Sequence, residues 1–415
     1  MTDLVQPLAR IAIACGGTGG HLFPGLAVAD QLARNGCAVT LLISPKEVDQ
    51  QAAASISGMN VVTLPAVGLT RHQAAAFARG FIKSYRAACQ VFRPSPPHIA
   101  LAMGGFTSAP PILAARRLGA RTFLHESNSI AGRANRWLSW AVEQAFLGFA
   151  SGGARLHCGR KTVTGTPVRS QIQAQAPESC RAILGLDPAR PVVLVMGGSQ
   201  GARAINTLVL QALPALAKLH PGWQWIHLTG PIDSDEVTRA YASHRFQAIV
   251  RPFFDRMELA LGAASAAVSR SGASALAELA AVRLPAVLVP YPSATEDHQH
   301  HNARAFRASG AARLLPQQSA TGEELASLLV ALVQQQDLRA SMQRALAQWH
   351  APGAAALIAR SMLATIGVEI SENIGVNGEP ATPSSPRNST LGATQLKFAS
   401  DFGFRVSDLP HRRVA

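Results

Sequence analysis

The chain has 415 residues, of which 48% are hydrophobic, with 38 lysines and arginines against 24 aspartates and glutamates. This length exceeds what one ordinary core packs, so we expect two domains. No apolar run reaches the roughly 18 residues that cross a bilayer. The start of the chain, MTDLVQPLAR, lacks the basic start and long apolar stretch of a signal peptide, and the five cysteines form no CxxC pair. We therefore expect a cytosolic protein with reduced thiols.

The positive charge is concentrated in the first part of the chain. Residues 1–170 carry 17 lysines and arginines against 6 aspartates and glutamates (+11), whereas the remainder carries 21 against 18 (+3). This asymmetry indicates an anionic partner for the first part, such as nucleic acid, an acidic membrane surface or a phosphorylated substrate. The sequence has no basic recognition helix and no aromatic RNA-binding motif, so we expect no nucleic-acid partner.

Apolar strand-like runs alternate with helix-like stretches along most of the chain, which predicts a parallel α/β architecture. The predicted strands of the first part are IAIAC, AVTLLIS, NVVTLPA, HIALAMGG and RTFLHES. The pattern starts again at PVVLVMGGSQGA and continues with QWIHLTG, AIVRPFF, AAVSRSG and PAVLVPYP. We predict two Rossmann-like domains, residues 1–170 and 171–366. The Gly-, Pro- and Ser-rich segment at residues 367–415 is predicted to be a disordered tail.

Each predicted domain opens with a strand, a glycine-rich turn and a helix. The first turn is GGTGGH, residues 16–21, and the second is GGSQGAR, residues 197–203. Without Cβ atoms such a backbone approaches a ligand closely, and its N–H groups at a helix N-terminus suit phosphate. The first turn has the spacing of neither a dinucleotide nor a Walker motif. One such turn is as often a tight connection, but two in equivalent places indicate two sites that face one cleft.

Further polar candidates lie between residues 269 and 303. Glu278 falls on a predicted helix, where its carboxylate can accept hydrogen bonds from both hydroxyls of a ribose; the alternative is an exposed helix glutamate. His298, His300 and His301 follow in the next loop. They lack the spacing of a helical zinc motif and a second ligand group, so we expect no metal site.

Residues 68–93 predict an amphipathic helix with an aromatic stripe and a cationic edge. Such a stripe is more often core, but the cations beside it favour a helix that binds an anionic membrane reversibly. Each basic residue near such a surface contributes about 1 kcal/mol. The residues assigned to this face are Phe77, Arg79, Phe81, Ile82, Lys83 and Arg86.

Seven motifs together resemble the MurG family of glycosyltransferases in order and spacing, over roughly residues 9–363. They are GGTGGHLFPGLAVAD, MGGFTSAP, LHESNSIAGRANRWL, TGTPVR, GGSQGAR, RSGASALAELAAVRLPAVLVPYP and DHQHHNA. The resemblance implies the GT-B fold, two Rossmann-like domains facing a cleft, with the acceptor bound mainly by the first and the nucleotide sugar by the second.

The activity implied by the resemblance is an inverting, metal-independent transfer of GlcNAc from UDP-GlcNAc to the C4 hydroxyl of the muramoyl sugar of lipid I, giving lipid II. No cofactor is expected. The resemblance also implies a peripheral position on the cytoplasmic face of the inner membrane, with cell-wall synthesis and division proteins as candidate partners.

The resemblance assigns site residues position by position. Those implied to contact UDP-GlcNAc are Thr18, Gly19, Gly20, Asn128, Arg169, Ser199, Phe254, Glu278 and Gln299. Within this set Glu278 takes the ribose hydroxyls, Phe254 lies beside the uracil, and Thr18 to Gly20 lie against the donor or the acceptor pyrophosphate. His21 is the candidate general base, with a bracing role in the turn as the alternative. Glu126 is the alternative base.

Some positions depart from the family pattern, among them Ser129, which stands where glycine is common. Two other functions stay open at this point. One is a GT-B glycosyltransferase with a different lipid acceptor, and the other is a non-catalytic scaffold of the wall-synthesis complex. The intact set of candidate site residues argues against the scaffold.

Overall fold

The structure is a computed structural model, and it describes residues 6–17, 19–46, 49–50, 58–65, 74–198 and 201–370. Within these residues thirteen strands and thirteen α-helices alternate along the chain. Thr18, Ser199 and the tail beyond residue 370 lie outside the described residues. None of the helices in the described ranges combines the length and apolarity needed to cross a membrane.

The first half is built on a seven-stranded parallel sheet in the order β3-β2-β1-β4-β5-β6-β7. Its strands are β1 Arg10–Ala14, β2 Ala38–Ile43, β3 Asn60–Thr63, β4 Ile99–Ala102, β5 Arg121–Glu126, β6 Gln144–Leu147 and β7 Arg160–Val163. Its helices are α1 Gly19–Arg34, α2 Ala74–Phe92, α3 Ala109–Arg117 and α4 Arg133–Leu138.

The side chains of β1 show how this sheet separates two cores. Ile11 and Ile13 pack on the face covered by α1, whereas Ala12 and Ala14 pack on the opposite face with residues of α2 and α3. Successive strand residues point to opposite faces, and a strand buried on both faces is apolar throughout. This explains why the strand appears in the sequence as a continuous apolar run without alternation.

The second half repeats the plan with a six-stranded parallel sheet in the order β10-β9-β8-β11-β12-β13. Its strands are β8 Val192–Met196, β9 Gln224–Leu228, β10 Gln247–Arg251, β11 Ala266–Ser269, β12 Ala286–Leu288 and β13 Arg313–Leu314. The helices that follow residue 170 are α5 Pro177–Ile183, α6 Arg203–Leu219, α7 Ser234–Ser243, α8 Met257–Ala263, α9 Ala273–Val282, α10 His298–Ala308, α11 Gly322–Gln334, α12 Gln336–Trp349 and α13 Ala354–Ala364.

The last helix, α13, returns to the first half. Its buried residues Ile358, Met362 and Leu363 pack in the same core as Ile11 and Ile13 of β1. The predicted boundaries placed this helix in the second domain, residues 171–366. By packing, α13 belongs to the first half, because its apolar face completes the core beside α1.

The predicted fold class is confirmed, since both sheets are parallel and each opens with a strand, a glycine turn and a helix. Three strands were missing from the sequence prediction: β6, β7 and β13. Their sequences are QAFL, RKTV and RL. Runs of two to four residues, two of them carrying arginine or lysine, give too little apolar pattern to be recognised as strands.

Candidate active site

A cleft of about 1430 Å³ lies between the two halves, at the carboxyl ends of strands from both sheets. This is where open α/β sheets bind their ligands. Every assigned site residue that the structure describes lines it: Gly19, Gly20, His21, Glu126, Asn128, Arg169, Phe254, Glu278 and Gln299.

The first glycine turn is packed tightly against the end of β2. A Cβ placed on Gly16 would lie 2.3 Å from the backbone nitrogen of Ser44, so no larger residue fits there. The Gly17 N–H donates to Asp49 Oδ2 at 2.6 Å, and the Ser44 hydroxyl donates to the same oxygen at 2.5 Å. Asp49, which the sequence analysis did not single out, therefore takes up one backbone donor of this turn.

His21 lies in the first turn of α1, with its ring against the glycine pair that follows β4. A Cβ on Gly104 would stand 2.8 Å from His21 Nε2, and Gly104 has a left-handed φ of +118° that glycine adopts most easily. The pKa of His21 is lowered to about 4, chiefly by burial and in smaller part by nearby His298, whereas Asp49 opposes the shift. The imidazole is therefore neutral at pH 7.

Arg169 connects the two halves at the side of the cleft. Its Nη2 donates to Glu278 Oε1 at 3.1 Å, and its guanidinium lies 4.2 Å from the centre of the Phe23 ring in α1. Its buried Nε finds no acceptor in the described part of the chain. Burial raises the pKa of Glu278, and the charge of Arg169 opposes that rise. Glu278 is thus a buried, paired carboxylate and not the exposed helix residue considered as the alternative.

The second glycine turn is tightly packed at Gly197, where a Cβ would lie 2.6 Å from the Ala202 nitrogen, and open at Gly198. Gly198 has φ +93°, and a Cβ placed there would meet no atom of the described residues within 4 Å. Gly201, by contrast, lies close to the next loop, where a Cβ would stand 2.5 Å from the Thr229 carbonyl oxygen. The turn leads into α6, whose N-terminus faces the cleft through Ala202 and Arg203. Open space beside a helix N-terminus suits an anionic ligand.

Comparison with known proteins adds to this geometry. The glycosyltransferase family 28 N-terminal domain matches residues 11–147, and the C-terminal domain of the same family matches residues 192–358. The UDP-N-acetylglucosamine–N-acetylmuramyl-(pentapeptide) pyrophosphoryl-undecaprenol N-acetylglucosamine transferase of Acidithiobacillus ferrooxidans is 37% identical over 86% of this chain and 98% of its own length. The enzyme of the same name from Chlorobaculum tepidum is 34% identical over 86% of this chain and 99% of its own. The chain belongs to the MurG family.

Solved structures agree with this membership. The crystal structure of Acinetobacter baumannii MurG superposes with a TM-score of 0.66 at 28% identity, over 86% of this chain and 99% of that one. A UDP-GlcNAc 2-epimerase from Neisseria meningitidis superposes with a TM-score of 0.63 at 12% identity, over 86% of this chain and 100% of its own, a likeness of fold alone. The GT-B architecture predicted from the MurG motifs is confirmed.

In this MurG-family chain Glu126 is engaged on both carboxylate oxygens. Oε1 accepts hydrogen bonds from the backbone nitrogen and the side-chain Nδ2 of Asn128, at 2.9 and 3.1 Å. Oε2 accepts from the Gly132 nitrogen and from Asn135 Nδ2, both at 2.9 Å. Burial raises the pKa of Glu126, and these four donors oppose that rise. The contacts fit a residue that braces the loop after β5 better than one that takes up a proton.

Gln299 lies in the first turn of α10, and its side-chain Oε1 accepts a hydrogen bond from the Tyr291 backbone nitrogen at 3.0 Å. The neighbouring His298 bonds the Thr295 carbonyl oxygen through Nδ1 at 2.7 Å, so Nδ1 carries the proton. Within the described ranges, no group of three or more His, Cys, Asp or Glu side chains is arranged to hold a metal ion.

Sequence reasoning missed several polar residues of this region. Asn135 and Asn302 are buried and bond directly to assigned site residues. Both stand inside motifs quoted for the MurG resemblance, RANRW and HHNA, but an asparagine in a helix gives no signal of its own without its contacts. The buried Arg270 was missed in the same way, and it donates to the carbonyl oxygens of Val289 and Pro290.

Proposed function

We propose that this chain transfers GlcNAc from UDP-GlcNAc to the C4 hydroxyl of the muramoyl sugar of lipid I, forming lipid II with inversion at the anomeric carbon. One observation carries the proposal: in a chain of the MurG family, all the assigned site residues that the structure describes line a single cleft. Two glycine turns face this cleft from opposite halves, as two substrates that meet there require.

In this proposal the nucleotide lies against the second half. The uracil packs beside Phe254, and the ribose hydroxyls donate to the Glu278 carboxylate, which is held in place by Arg169. The diphosphate lies at the open second turn, beside the N-terminus of α6. The buried Arg169 Nε, which lacks an acceptor among the described residues, suits a phosphate oxygen.

The transfer step needs a proton acceptor on the side of the first turn. The C4 oxygen of the acceptor forms a bond to the anomeric carbon while the bond from that carbon to the β-phosphate oxygen breaks. The electron pair leaves with UDP, and the hydroxyl proton passes to the neutral imidazole of His21. An adjacent pyrophosphate raises the pKa of His21 from about 4, because an anion favours the imidazolium.

The departing UDP gains negative charge on its β-phosphate. In this proposal the Arg169 guanidinium and the N-terminus of α6 are the donors that stabilise that charge. They lie in a partly buried cleft, where electrostatic interactions are stronger than in water. In this proposal Glu126 holds Asn128 and the loop after β5, and His21 takes the proton.

We further propose that α2 and its neighbours bind the cytoplasmic face of the inner membrane. Arg79, Lys83 and Arg86 are exposed, and Ile82 is 49% exposed. Two tryptophans near the end of α4 are also exposed: Trp137 is 51% exposed and Trp140 is 72% exposed. Tryptophan with clustered cations is typical of the interface of an anionic bilayer.

An aromatic run connects this face with the cleft. Phe106 lines the cleft and lies 5.6 Å from the Phe77 ring, which lies 6.1 Å from Phe81; Phe81 in turn lies 6.1 Å from Trp137. Phe92, at the end of α2, is buried in the core. The apolar run suits an acceptor whose lipid stays in the membrane while its sugar enters the cleft.

The membrane proposal is tested by flotation with vesicles that contain about one third anionic lipid. Replacing Arg79, Lys83 and Arg86 together by glutamate is expected to lower vesicle binding at least tenfold, since each cation contributes about 1 kcal/mol. Turnover of a water-soluble acceptor analogue is expected to stay within about threefold of the parent. Unchanged vesicle binding would contradict the membrane role of α2.

The activity is tested by transfer of label from radiolabelled UDP-GlcNAc to a short-chain lipid I analogue, with EDTA present. Transfer is expected, and it would establish the acceptor and the absence of a metal requirement together. Donor binding without transfer to this analogue would favour a different lipid acceptor. Absence of both binding and transfer would favour the scaffold.

A further inference from the structure

Asn302 is a buried asparagine of α10 at the contact between the two halves, and its exposed fraction is 0%. Its Oδ1 accepts hydrogen bonds from the Ser129 backbone nitrogen at 2.9 Å and from the Ser129 hydroxyl at 2.8 Å. Its Nδ2 donates to Asn128 Oδ1 at 3.1 Å and to the Ser271 carbonyl oxygen at 3.2 Å. All four hydrogen-bonding positions of this amide are therefore in use.

Two backbone groups fix the direction in which the Asn302 amide points. The Ser129 N–H can only donate and the Ser271 carbonyl can only accept, so the amide oxygen faces Ser129 and the nitrogen faces Ser271. The orientation of Asn128 follows, because its oxygen must meet Asn302 Nδ2 while its own Nδ2 donates to Glu126 Oε1 at 3.1 Å. The run from Ser129 through Asn302 and Asn128 to Glu126 therefore has a single polarity, because each residue donates to the next, and Asn302 Nδ2 donates a second hydrogen bond to Ser271.

The same run reaches the donor side of the cleft. The Ser271 hydroxyl donates to the Gln299 backbone carbonyl at 2.8 Å, which anchors the first turn of α10. Gln299 Oε1 faces the Tyr291 backbone nitrogen, so the Nε2 end of its side chain is directed away from it. Asn128 comes from the first half and Gln299 from the second, and both line the cleft. Asn302 is the residue between them that bonds to both halves.

We propose that Asn302 is a positioning residue for the sugar donor: it orients the Asn128 amide and sets the register between Asn128 and Gln299. Asn302 does not line the cleft, so it acts through these two side chains and not by touching the donor. The inference rests on the proposed function, in which both side chains contact UDP-GlcNAc. If Asn302 only held the two halves together, its replacement would have no specific effect on UDP-GlcNAc binding.

The discriminating variant is Asn302→Asp. It keeps the size of the side chain and an oxygen for Ser129, but it puts a second oxygen in place of the nitrogen, against the acceptors on Asn128 and Ser271. The run is then broken at Asn302 while the contact with Ser129 remains. Ser129→Ala is the matched control, because it removes one hydrogen bond to Asn302 Oδ1 at the same interface and leaves the polarity of the run intact.

The experiment is a double-mutant cycle between Asn302→Asp and Asn128→Ala. Both KM in the transfer assay and the dissociation constant of UDP-GlcNAc by calorimetry are measured. Asn302→Asp is expected to raise both quantities about tenfold or more, since it leaves buried polar groups unpaired. The KM for the lipid I analogue is expected to stay within about threefold. In the Asn128→Ala background the same substitution is expected to have a clearly smaller effect, because one of the two side chains through which Asn302 acts is gone and only the path through Ser271 to Gln299 remains.

Asn302→Ala is carried in parallel as a neutral replacement, and melting temperatures identify any variant that fails to fold. Additive effects of the two substitutions would overturn the proposal, as would an equal loss of donor binding in Ser129→Ala. If the parent binds UDP-GlcNAc but transfers nothing to lipid I, the proposed function fails. The calorimetric cycle would then still test the positioning role.

Discussion

The two glycine turns begin the two halves in the same way, yet the structure gives their glycines different surroundings. The leading glycine is closed in by the protein in both turns: a Cβ would lie 2.3 Å from the Ser44 nitrogen at Gly16 and 2.6 Å from the Ala202 nitrogen at Gly197. The glycines that follow differ, because the N–H of Gly17 is bonded to Asp49, whereas a Cβ on Gly198 would meet no atom of the described residues within 4 Å. A glycine can therefore be required either by the protein behind it or by the ligand in front of it, and the sequence alone does not distinguish the two.

This difference fits different roles for the two turns, with proton transfer at the first and diphosphate binding at the second. The first turn is held by the end of β2 and carries His21, whose ring is confined against Gly104. A confined imidazole suits a step in which a proton is transferred over a short, fixed distance. The second turn leaves space in front of the N-terminus of α6, which suits a diphosphate that must enter and leave.

The largest effect is expected at His21, on the confined turn. His21→Ala and His21→Gln are both expected to lower kcat by about 10²- to 10⁴-fold, because neither side chain can take up the proton. Glutamine still fills much of the space and forms hydrogen bonds, so it is the control for a bracing role. High activity in His21→Gln together with a loss in His21→Ala would show that His21 only braces the turn.

The pH dependence of the parent provides a second measurement on the same residue. Since burial lowers the pKa of His21 to about 4, the acid limb of kcat/KM due to this group is expected well below the ordinary histidine value of 6.5. A limb centred near 6.5 that disappears in His21→Gln would contradict the burial seen in the structure.

On the donor side, Glu278→Ala is expected to raise the KM for UDP-GlcNAc about 10- to 100-fold, since it removes the ribose acceptor and leaves the buried Arg169 without its partner. The KM for the lipid I analogue is expected to change little. Steady-state kinetics with each substrate varied in turn gives both values. An effect confined to the lipid substrate would place Glu278 on the acceptor side and remove the proposed division.

The glycines themselves test the comparison directly. Gly16→Ala is expected to lower the free energy of unfolding by about 1–3 kcal/mol, because its Cβ would lie 2.3 Å from the Ser44 nitrogen. Gly198→Ala is expected to be milder in stability, with only the strain of its positive φ, but to weaken UDP-GlcNAc binding. For both variants, urea unfolding gives the free energy of unfolding and calorimetry gives the dissociation constant of UDP-GlcNAc. Equal losses of stability would mean that Gly198 is packed as tightly as Gly16.

The smallest expected effect is on the pH dependence of stability, through His227 in β9. His227 is buried, and its Nε2 donates to Asn206 Oδ1 at 3.0 Å while its Nδ1 accepts from the Tyr241 hydroxyl at 3.0 Å. Burial lowers the pKa of His227 to about 3. Below about pH 6.5 the unfolded chain therefore binds a proton that the folded chain does not. As the pH is lowered below about 6.5, the free energy of unfolding is expected to decrease, and this group contributes up to about 1.4 kcal/mol per pH unit.

His227→Gln is the control, and urea unfolding between about pH 7 and pH 5 is the measurement. A smaller loss of stability on acidification is expected in the variant than in the parent. The parent's total slope also contains His125, whose burial lowers its pKa to about 4, and the raised pKa values of Glu126 and Glu278, which act in the opposite direction. The difference between variant and parent isolates His227, and identical slopes would contradict its assignment as a buried neutral group.

The sequence predicted the parallel sheets because strands such as β1 and β8 are buried on both faces and form continuous apolar runs. It predicted the site residues through the motifs of the MurG family, and those that the structure describes meet in one cleft. It missed β13, whose two residues carry almost no pattern. It also missed Asp49 and Asn302, since their roles depend on hydrogen bonds to residues that are distant in the sequence or in the other half.

The return of α13 to the first half has a consequence for how the protein can be divided. The chain passes between the halves twice, once between β7 and β8 and once between α12 and α13. Expression of residues 1–170 alone would leave the surface that receives Ile358, Met362 and Leu363 uncovered. The fragment would expose an apolar groove to solvent and is expected to aggregate unless the segment carrying α13 is supplied as a second chain. Each half therefore has its own sheet, but the first half is formed by two separate segments of the chain.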